Sequence, residues 1–534
     1  MRFLPVNLDA LLVELADLDE TLALFDALQA RPLPGIEEIV PAARTLLVQF
    51  RPSALKAADL VDHIAALPLD GGGREAGKLV EIPVHYNGED LDEVARLLGL
   101  SVAEVIRRHT GSDYQVAFCG FAPGFGYLSG GPGFQVPRRS SPRTRVPAGS
   151  VAIAGGFAAV YPQASPGGWQ LLGVTPLHLW DLTRQEPALL RPGYRVRFRD
   201  AGPLPAGGLP EAPIAAPAAP ATADYLEILS PGLRTLLQDL GRPGQTGQGV
   251  SASGALDRGA LRAANRAVGN APDSGCLEIL LGGFNCVCHG QALVAVTGAP
   301  APLEVLTRAG RRLQPAPYQP FLLEDGDRLS LGSPPTGLRS YLALRGGFAV
   351  APVLGSLAFD TLANVGPAPL AAGDRLGFYP AVGGAAVSCS ETAPLALPGA
   401  DQEVVLDVVL GPRSDWFTPA ALETLAGQSW RVTPQSDRVG IRLAGETPLE
   451  RQVAGELPSE GTALGAIQVP PNGQPVLFLA DHPLTGGYPV IGAVASHHLD
   501  LAGQIPVGAR IRFNPLGPFA ELRPSASPAA ENTP

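Results

Sequence analysis

Glycine and proline interrupt this chain at short intervals along almost its whole length. The 64 Gly and 55 Pro residues make up about a fifth of the 534 residues and show no collagen-like period. Because proline ends helices and both residues favour tight turns, the apolar runs between them are too short for long helices. The sequence therefore predicts a mainly β protein with α+β elements, built from many short strands.

Composition narrows the class of function. With 46% hydrophobic and 17% charged residues, the chain should fold into about three domains, at roughly 100–200 residues each. The net charge of −11 disfavours nucleic-acid binding, since phosphates would be repelled.

We find neither a signal-peptide pattern nor the roughly 18 consecutive apolar residues of a membrane span. An odd count of 5 cysteines suits reduced thiols. We therefore expect a cytoplasmic protein that handles a small molecule.

Shifts in composition divide the chain. A stretch rich in Pro and Ala with almost no charge reads as a linker, and a Ser/Pro/Ala-rich C-terminus reads as disordered. The predicted units are a small α/β domain (1–78), a β-rich domain (79–201), the linker (202–222), a second β-rich domain (223–522) and the tail (523–534).

The first β-rich domain carries a rigid aromatic loop and a glycine pair. Phe125 and Tyr127 alternate with Gly and Pro, and Trp169 follows Gly167 and Gly168. Such rings can hold a small planar ligand, or they can form an ordinary core corner. Arg138, Arg143 and the hydroxyl of Ser165 lie in the same region and could bind a carboxylate or phosphate, although a solvated surface is the alternative.

The second half repeats this pattern. Gln468 follows a Gly-Ala-Ile run, and Thr485, Gly486, Gly487 and Tyr488 form a similar glycine loop. Glycine pairs let backbone N–H groups approach an oxyanion, but they also occur in plain hairpin turns. Similar barrels in both halves would explain the repetition. Arg413 offers a second basic contact there.

Metal binding is not expected. Cys286 and Cys288 share one face of a predicted strand, whereas His289 points the other way. A buried strand end explains these residues better than a metal site.

Longer motifs in the first half resemble the B subunit of bacterial 5-oxoprolinase, a family that includes the kinase inhibitor KipI and is also called allophanate hydrolase subunit 1. The similar stretches are His109–Thr110, Tyr114–Val116, Gly120–Leu128, Pro137–Arg139, Pro142–Arg143, Val146–Ile153 and Ser165–Trp169.

The second half resembles the companion C subunit, the KipA or allophanate hydrolase subunit 2 family. The similar stretches are Thr235–Gly244, Ser253–Asp257, Asn265, Leu277–Glu278, Thr297–Ala299, Leu342–Gly347, Val353–Ser356, Ser436–Gly440, Gly465–Pro470 and Thr485–Pro489. The chain is thus identified as a fusion of the two subunits.

The resemblance implies cyclophilin-like β-barrels in both halves and an ATP-dependent opening of 5-oxoproline to glutamate, with Mg²⁺ accompanying ATP and with a separate A subunit. It leaves two alternatives: a KipI-like inhibitor of a sensor histidine kinase, and an enzyme component for urea derivatives like the carboxyltransferase domain of urea carboxylase. A biotin attachment site is missing, because the single methionine is Met1. The resemblance leaves open whether the chain forms a homo-oligomer.

On this basis we expect catalytic roles for Arg143, Ser165, Gln468 and Thr485. Substrate contacts are expected from Phe125, Tyr127, Arg138, Gly167, Gly168, Trp169, Arg413, Gly486, Gly487 and Tyr488. The first-half pocket is the expected place for a small carboxylate such as 5-oxoproline. Three residues depart from the family pattern: Phe157 stands where Gln is usual, and His482 and Val490 replace Arg and Lys.

Overall fold

The structure is a computed structural model. It describes residues 1–69, 77–139, 141, 143–203, 222–380, 387–388, 390–394, 396–455 and 457–525. Most of the predicted linker, and the predicted disordered tail beyond residue 525, lie outside these residues.

The N-terminal domain is a four-stranded antiparallel sheet covered by two helices. Its strand order is β1-β2-β4-β3, and its apolar core is shared with both helices. The first helix is capped by Asp17, whose side chain accepts the N–H of Glu20. Its elements are β1 Arg2–Asn7, β2 Ala10–Glu14, α1 Leu18–Ala30, β3 Ile36–Pro41, β4 Thr45–Phe50 and α2 Ala57–Ala65.

The first barrel follows as a seven-stranded sheet of order β12-β9-β10-β7-β6-β13-β5. A bridge between His85 and Val174 connects its two edges and nearly closes it. A separate hairpin, β8 with β11, lies outside the sheet. The elements are β5 Leu79–Val84, α3 Leu91–Leu98, α4 Val102–Thr110, β6 Tyr114–Cys119, β7 Gly126–Gly130, β8 Arg143–Val146, β9 Ser150–Ala154, β10 Phe157–Val160, β11 Ser165–Gly167, β12 Gln170–Val174 and β13 Arg195–Asp200.

A β-sandwich opens the second half. Sheets of order β20-β19-β22-β17-β14-β24 and β15-β16-β23-β18-β21 share one apolar core, and α5 covers the outside of the second sheet. Cys286 and Cys288 are buried in that core. The elements are β14 Tyr225–Pro231, β15 Arg234–Gln238, α5 Arg258–Val268, β16 Cys276–Leu280, β17 Phe284–His289, β18 Ala292–Gly298, β19 Leu303–Leu306, β20 Arg312–Leu313, β21 Pro320–Leu323, β22 Arg328–Leu331, β23 Arg339–Leu344 and β24 Arg375–Gly377.

The second barrel is closed, with order β25-β32-β29-β30-β27-β26-β33, and carries an outer hairpin, β28 with β31. Its core contains the fully buried Trp430. The elements are β25 Glu403–Leu410, α6 Pro419–Gly427, β26 Trp430–Val432, β27 Gly440–Ala444, β28 Glu460–Gly461, β29 Ala466–Gln468, β30 Val476–Phe478, β31 Thr485–Gly486, β32 Val490–Val494, α7 Leu499–Ala502 and β33 Arg510–Pro515.

The two barrels share one topology. Each begins with a strand that pairs in parallel with its last strand, β5 with β13 and β25 with β33, and the remaining strands follow in the same neighbour order. The first sheet closes at His85 and Val174, and the second at the matching pair Val409 and Ala493. The prediction of similar barrels in both halves is therefore confirmed.

The N-terminal domain packs against the second barrel, on the far side of the linker. An apolar layer joins its sheet to the hairpin region of that barrel, with Leu4, Leu12 and Leu47 against Ala463 and Leu484. The side chain of Asn7 adds a hydrogen bond to the carbonyl of Val494 (2.9 Å). The two halves of the chain are thus interlocked rather than side by side.

Among the helices of the described ranges, none combines the length and apolar character needed to cross a bilayer.

Candidate functional site

The predicted aromatic residues of the first half form one cluster. The rings of Phe125 and Tyr127 are 5.1 Å apart between centroids, and Trp169 lies 5.7 Å from each. Their exposed fractions are only 1%, 5% and 7%, because further rings and the β8–β11 hairpin cover this outer face of the barrel. Those further rings are Phe118, Phe121, Phe157 and Tyr161. The rings therefore contact one another, and a role in substrate binding stays a prediction.

Arg143 is held by two carboxylates. Its guanidinium donates to both oxygens of Asp90 (2.9 Å) and to Glu89 (2.9 Å). Asp90 is buried and also accepts the backbone N–H of Leu171 (2.8 Å) and a bond from Arg139 (2.5 Å). Burial pushes the pKa of Asp90 up, but the bonds from Arg143 and Leu171 outweigh it and hold that pKa below its usual range. Arg143 thus fixes β8 to the segment that follows β5.

Two predicted hydroxyl groups are buried without a bonded partner. Neither Ser165 Oγ nor Thr485 Oγ1 has a hydrogen bond within the described part of the chain. A buried hydroxyl without a partner is unusual and costs free energy. Each of these two groups therefore keeps a hydrogen-bond donor that no described residue uses.

Gly120 and Arg138 of the first half meet the glycine loop of the second half in a region we call the hairpin junction, made of Gly120, Arg138, Thr485 and Gly487. A Cβ added to Gly120 would lie 2.5 Å from Thr485 Oγ1, and one added to Gly487 would lie 3.4 Å from a guanidinium nitrogen of Arg138. The close approach to Thr485 requires glycine at position 120, whereas the contact at Gly487 is an ordinary van der Waals distance. The structure thus brings together predicted residues from both sides of the linker.

Gln468 and Tyr488 lie beside this junction. A Cβ on Gly486 would lie 2.7 Å from the amide nitrogen of Gln468, and that amide donates to the carbonyl of Tyr488 (3.2 Å). The Tyr488 ring is 42% exposed, with the guanidinium of Arg451 5.8 Å from its centroid. In the first half, Gly167 lies against the Tyr161 hydroxyl and the Gly168 carbonyl accepts the N–H of Arg139 (2.8 Å).

Arg413 does not occupy the position that matches Arg143. The backbone N–H of Arg413 donates to the carbonyl of Val490 (3.0 Å). In the first barrel, the backbone N–H of Asp90 donates in the same way to the carbonyl of Leu171 (3.2 Å). Arg413 is therefore the counterpart of Asp90. Its guanidinium binds Glu460 and, from the N-terminal domain, Glu14 (2.9 Å). The two barrels therefore hold matching ion pairs with the charges exchanged. Sequence comparison missed this because the partners of Arg413 lie 47 and 399 residues away.

A cavity of about 140 Å³, the junction cavity, lies where the N-terminal domain, the sandwich and the second barrel meet. Its polar lining includes Asp9, Glu38, Ser253, Arg258 and His482. Of these, only His482 and Ser253 were noted in the sequence, as a family departure and as part of a motif. Asp9 lies in the turn between β1 and β2 and Glu38 lies in β3, where polar residues are common at any solvated edge, so no local signal marks them.

Burial shapes the charges around this cavity. Desolvation raises the pKa of Asp9, and it raises the pKa of Glu38 to about 7 although that carboxylate accepts the N–H of Gly244 (3.0 Å). Desolvation lowers the pKa of His482, whose ring stacks on Phe478. These acids and this base are therefore biased toward their neutral forms.

The family-like motifs of the second half build a buried ionic layer between sandwich and barrel. Arg438 pairs with Glu278 (2.5 Å) and with Asp481 (2.9 Å), and Asp481 accepts from Ser253 (2.6 Å). The Tyr341 hydroxyl donates to Glu278 (2.7 Å). These residues fix the two units against each other.

Among the described residues, Asp407, His497 and His498 are close enough to hold a metal ion. Their present contacts are protein bonds: His497 pairs with Asp407 (2.9 Å), and His498 Nδ1 accepts the backbone N–H of Asp407 (2.9 Å). Because that lone pair is already used, we assign no metal here.

Comparison with known proteins decides the family. Residues 248–515 match the family model for subdomains A and B of the carboxyltransferase domain. Residues 1–190 match the family model for its subdomains C and D. The chain belongs to the carboxyltransferase-domain family. Its order of subdomains places C and D before A and B.

Both halves also match separate subunits of one enzyme. The second half is 35% identical to the C subunit of 5-oxoprolinase from Escherichia coli K12 over 297 residues, which is 54% of this chain and 90% of that protein. The first half is 43% identical to the B subunit of 5-oxoprolinase from Escherichia coli O157:H7 over 171 residues, 31% of this chain and 78% of that protein. This family member therefore fuses the counterparts of the B and C subunits.

A solved structure shows the same fusion as a whole. The crystal structure of TTHA0988 is 36% identical, with a TM-score of 0.81 over 95% of this chain and 99% of that one. Urea amidolyase of Saccharomyces cerevisiae is 33% identical over 309 residues, but these cover only 16% of its length.

Proposed function

We propose that this chain is the B/C component of an ATP-dependent 5-oxoprolinase, which opens 5-oxoproline to glutamate together with a separate A subunit. The observation that carries the proposal is that one chain matches both the C and the B subunits of that enzyme, over 90% and 78% of their lengths. The match to urea amidolyase covers 16% of that protein and supports a urea-derived substrate less well.

The hairpin junction offers donors suited to an anion. The buried hydroxyl of Thr485 lacks a bonded partner among the described residues, and the Arg138 guanidinium lies beside Gly487. A guanidinium and hydroxyl together can hold phosphate oxygens. We infer that these groups would hold the phosphates of ATP, with Mg²⁺.

Lactam opening needs activation because a lactam carbonyl is a poor electrophile. ATP, when bound, supplies the phosphoryl group that makes the lactam oxygen a leaving group. The chain itself would bind and orient the acid and offer N–H and O–H donors where negative charge develops. Water adds to the carbonyl carbon, the C–N bond of the ring breaks, and the ring nitrogen becomes the amine of glutamate.

Reconstitution tests this function. The purified chain and an A subunit together should release glutamate from 5-oxoproline with matching ATP hydrolysis, and each alone should release none. Turnover with urea in place of 5-oxoproline would support the carboxylase-like alternative. Inhibition of a sensor histidine kinase without any turnover would support the regulatory one.

A further inference from the structure

The junction cavity is small and is bordered by three units of the fold. Its volume of about 140 Å³ holds roughly four or five water molecules, at about 30 Å³ each. A nucleotide is too large for it. An occupant must therefore be a small molecule.

Arg258 brings one positive charge to this cavity. It is the first residue of α5, and its guanidinium has no hydrogen bond or ion pair within the described ranges. Burial lowers its pKa, an effect that the more distant carboxylates of Asp500, Glu37 and Asp9 oppose. The Arg258 side chain is half-buried, and a guanidinium that lines a cavity without a hydrogen bond can bind an anion directly, preferably a carboxylate or phosphate in a two-pronged geometry.

The start of α5 itself does not supply the anion site. The N–H groups of Arg258 and Gly259 donate to the carboxylate of Asp500 (2.9 and 3.0 Å), and that of Ala260 donates to Asp257 (2.8 Å). These donors are already used. The side chain of Arg258 is therefore the group that can receive an acid.

Three carboxyl groups also line the cavity, those of Asp9, Glu37 and Glu38. Glu38 is buried, with one oxygen on the N–H of Gly244, and Asp9 accepts the hydroxyl of Ser496 (2.8 Å). His482 is fixed by the carbonyl of Pro483 (2.9 Å), which requires the proton on Nδ1. Carboxyl groups in this setting accept a hydrogen bond from an N–H group of a ligand.

We propose that the junction cavity binds a small cyclic acid with one carboxylate and one amide, placing the carboxylate on Arg258 and the amide N–H toward Glu38 and Asp9. The proposal rests on the function proposed above, and it assigns the substrate to this cavity instead of to the aromatic cluster around Phe125. Arg258 becomes the residue that selects for the carboxylate.

Binding to the full chain, without ATP or an A subunit, tests the assignment. Calorimetric titration with 5-oxoproline should show at least tenfold weaker binding for Arg258→Met and a smaller loss for Arg258→Lys. Arg262→Met is the matched control, because Arg262 is exposed one turn further along α5, and its affinity should stay within twofold of wild type. The amide without the carboxylate, 2-pyrrolidinone, should bind wild type and Arg258→Met equally.

Several results would overturn the assignment. Equal affinity of Arg258→Met and wild type, or an equal loss in Arg262→Met, removes Arg258 from the site. If wild type binds too weakly to titrate alone, KM in the reconstituted enzyme replaces affinity, and an unchanged KM for Arg258→Met and Arg258→Lys counts against the proposal. Circular dichroism confirms that each variant is folded, and Arg258→Lys carries the test if Arg258→Met is not.

Failure of the inference and failure of the function give different results. If 5-oxoproline is turned over and its KM does not change when Arg258 is substituted, the proposed function stands and the assignment of the cavity is wrong. Arg258-dependent binding without turnover would keep the cavity and discard the function. Absence of both binding and turnover by wild type discards both.

Discussion

At the scale of single residues, Glu38 couples the N-terminal domain to the sandwich through a carboxyl that favours its protonated form. Its pKa is raised from 4.5 to about 7 by burial. Between these pH values the folded protein keeps a proton that the unfolded chain releases. The free energy of unfolding therefore falls as pH rises through this window, by up to about 3 kcal/mol from this group.

Glu38→Gln should flatten that dependence, because a neutral amide cannot titrate. As pH rises from about 4.5 to 7, wild type loses stability and the variant does not. Any lower stability of the variant at about pH 4.5 should therefore disappear by about pH 7, or the variant should become the more stable protein. Urea unfolding at several pH values measures this. Glu403→Gln is the control, since Glu403 is exposed and pairs with Arg512 at the surface. Parallel pH profiles for wild type and Glu38→Gln would contradict the prediction.

At the scale of elements, each barrel fixes its outer hairpin with a buried ion pair. In the first barrel Arg143 of β8 binds Asp90, and in the second Glu460 of β28 binds Arg413. Because Gly167 pairs with Arg143 and Gly486 with Glu460, the hairpin residues are equivalent and their charges are reversed. An ion pair stands at this place in both barrels, but the positive charge lies on the hairpin in the first barrel and on its partner segment in the second.

Breaking the second pair should be costly. Arg413→Met leaves the buried carboxylate of Glu460 without its cation, and Glu14 keeps only Arg2, so we expect a loss of about 3–5 kcal/mol. The double variant Arg413→Met/Glu460→Met should lose clearly less than the sum of the single changes. Chemical unfolding of the four proteins gives the coupling free energy.

The exposed pair Arg312 and Glu304 provides the comparison, with an expected coupling of about 1 kcal/mol or less. Additive losses at Arg413 and Glu460 would show that this pair does not stabilise the hairpin.

At the scale of the whole molecule, the N-terminal domain holds the two halves together. Its sheet packs through an apolar layer on the second barrel, and Gly244 and Thr246 of the sandwich bond to Glu38 and Ile39. A protease site placed in the linker should therefore yield two fragments that still co-elute on a sizing column, even at high salt, because apolar contact is not screened.

Leu484→Asp should weaken that association, since Leu484 is buried in the shared layer, whereas Leu516→Asp should not, since Leu516 is 51% exposed. Elution of the cleaved wild-type protein as two free fragments would contradict an interlocked arrangement.

Local sequence determined much of the fold. Turn residues and short apolar runs predicted a mainly β protein of many short strands, and such strands make up both barrels and the sandwich. Motif similarity predicted the family and a barrel in each half. These features depend on neighbours within a few residues, which is why the sequence alone could specify them.

The tertiary structure decided the partners of the charged residues. Arg143 and Arg413 look alike in the sequence, yet each is bound to carboxylates 47 to 399 residues away and they occupy non-equivalent positions. Glu38, Arg258 and His482 meet only because the N-terminal domain crosses to the second barrel. Ion pairs and cavities depend on which distant surfaces meet, and residue type and local spacing carry no record of that.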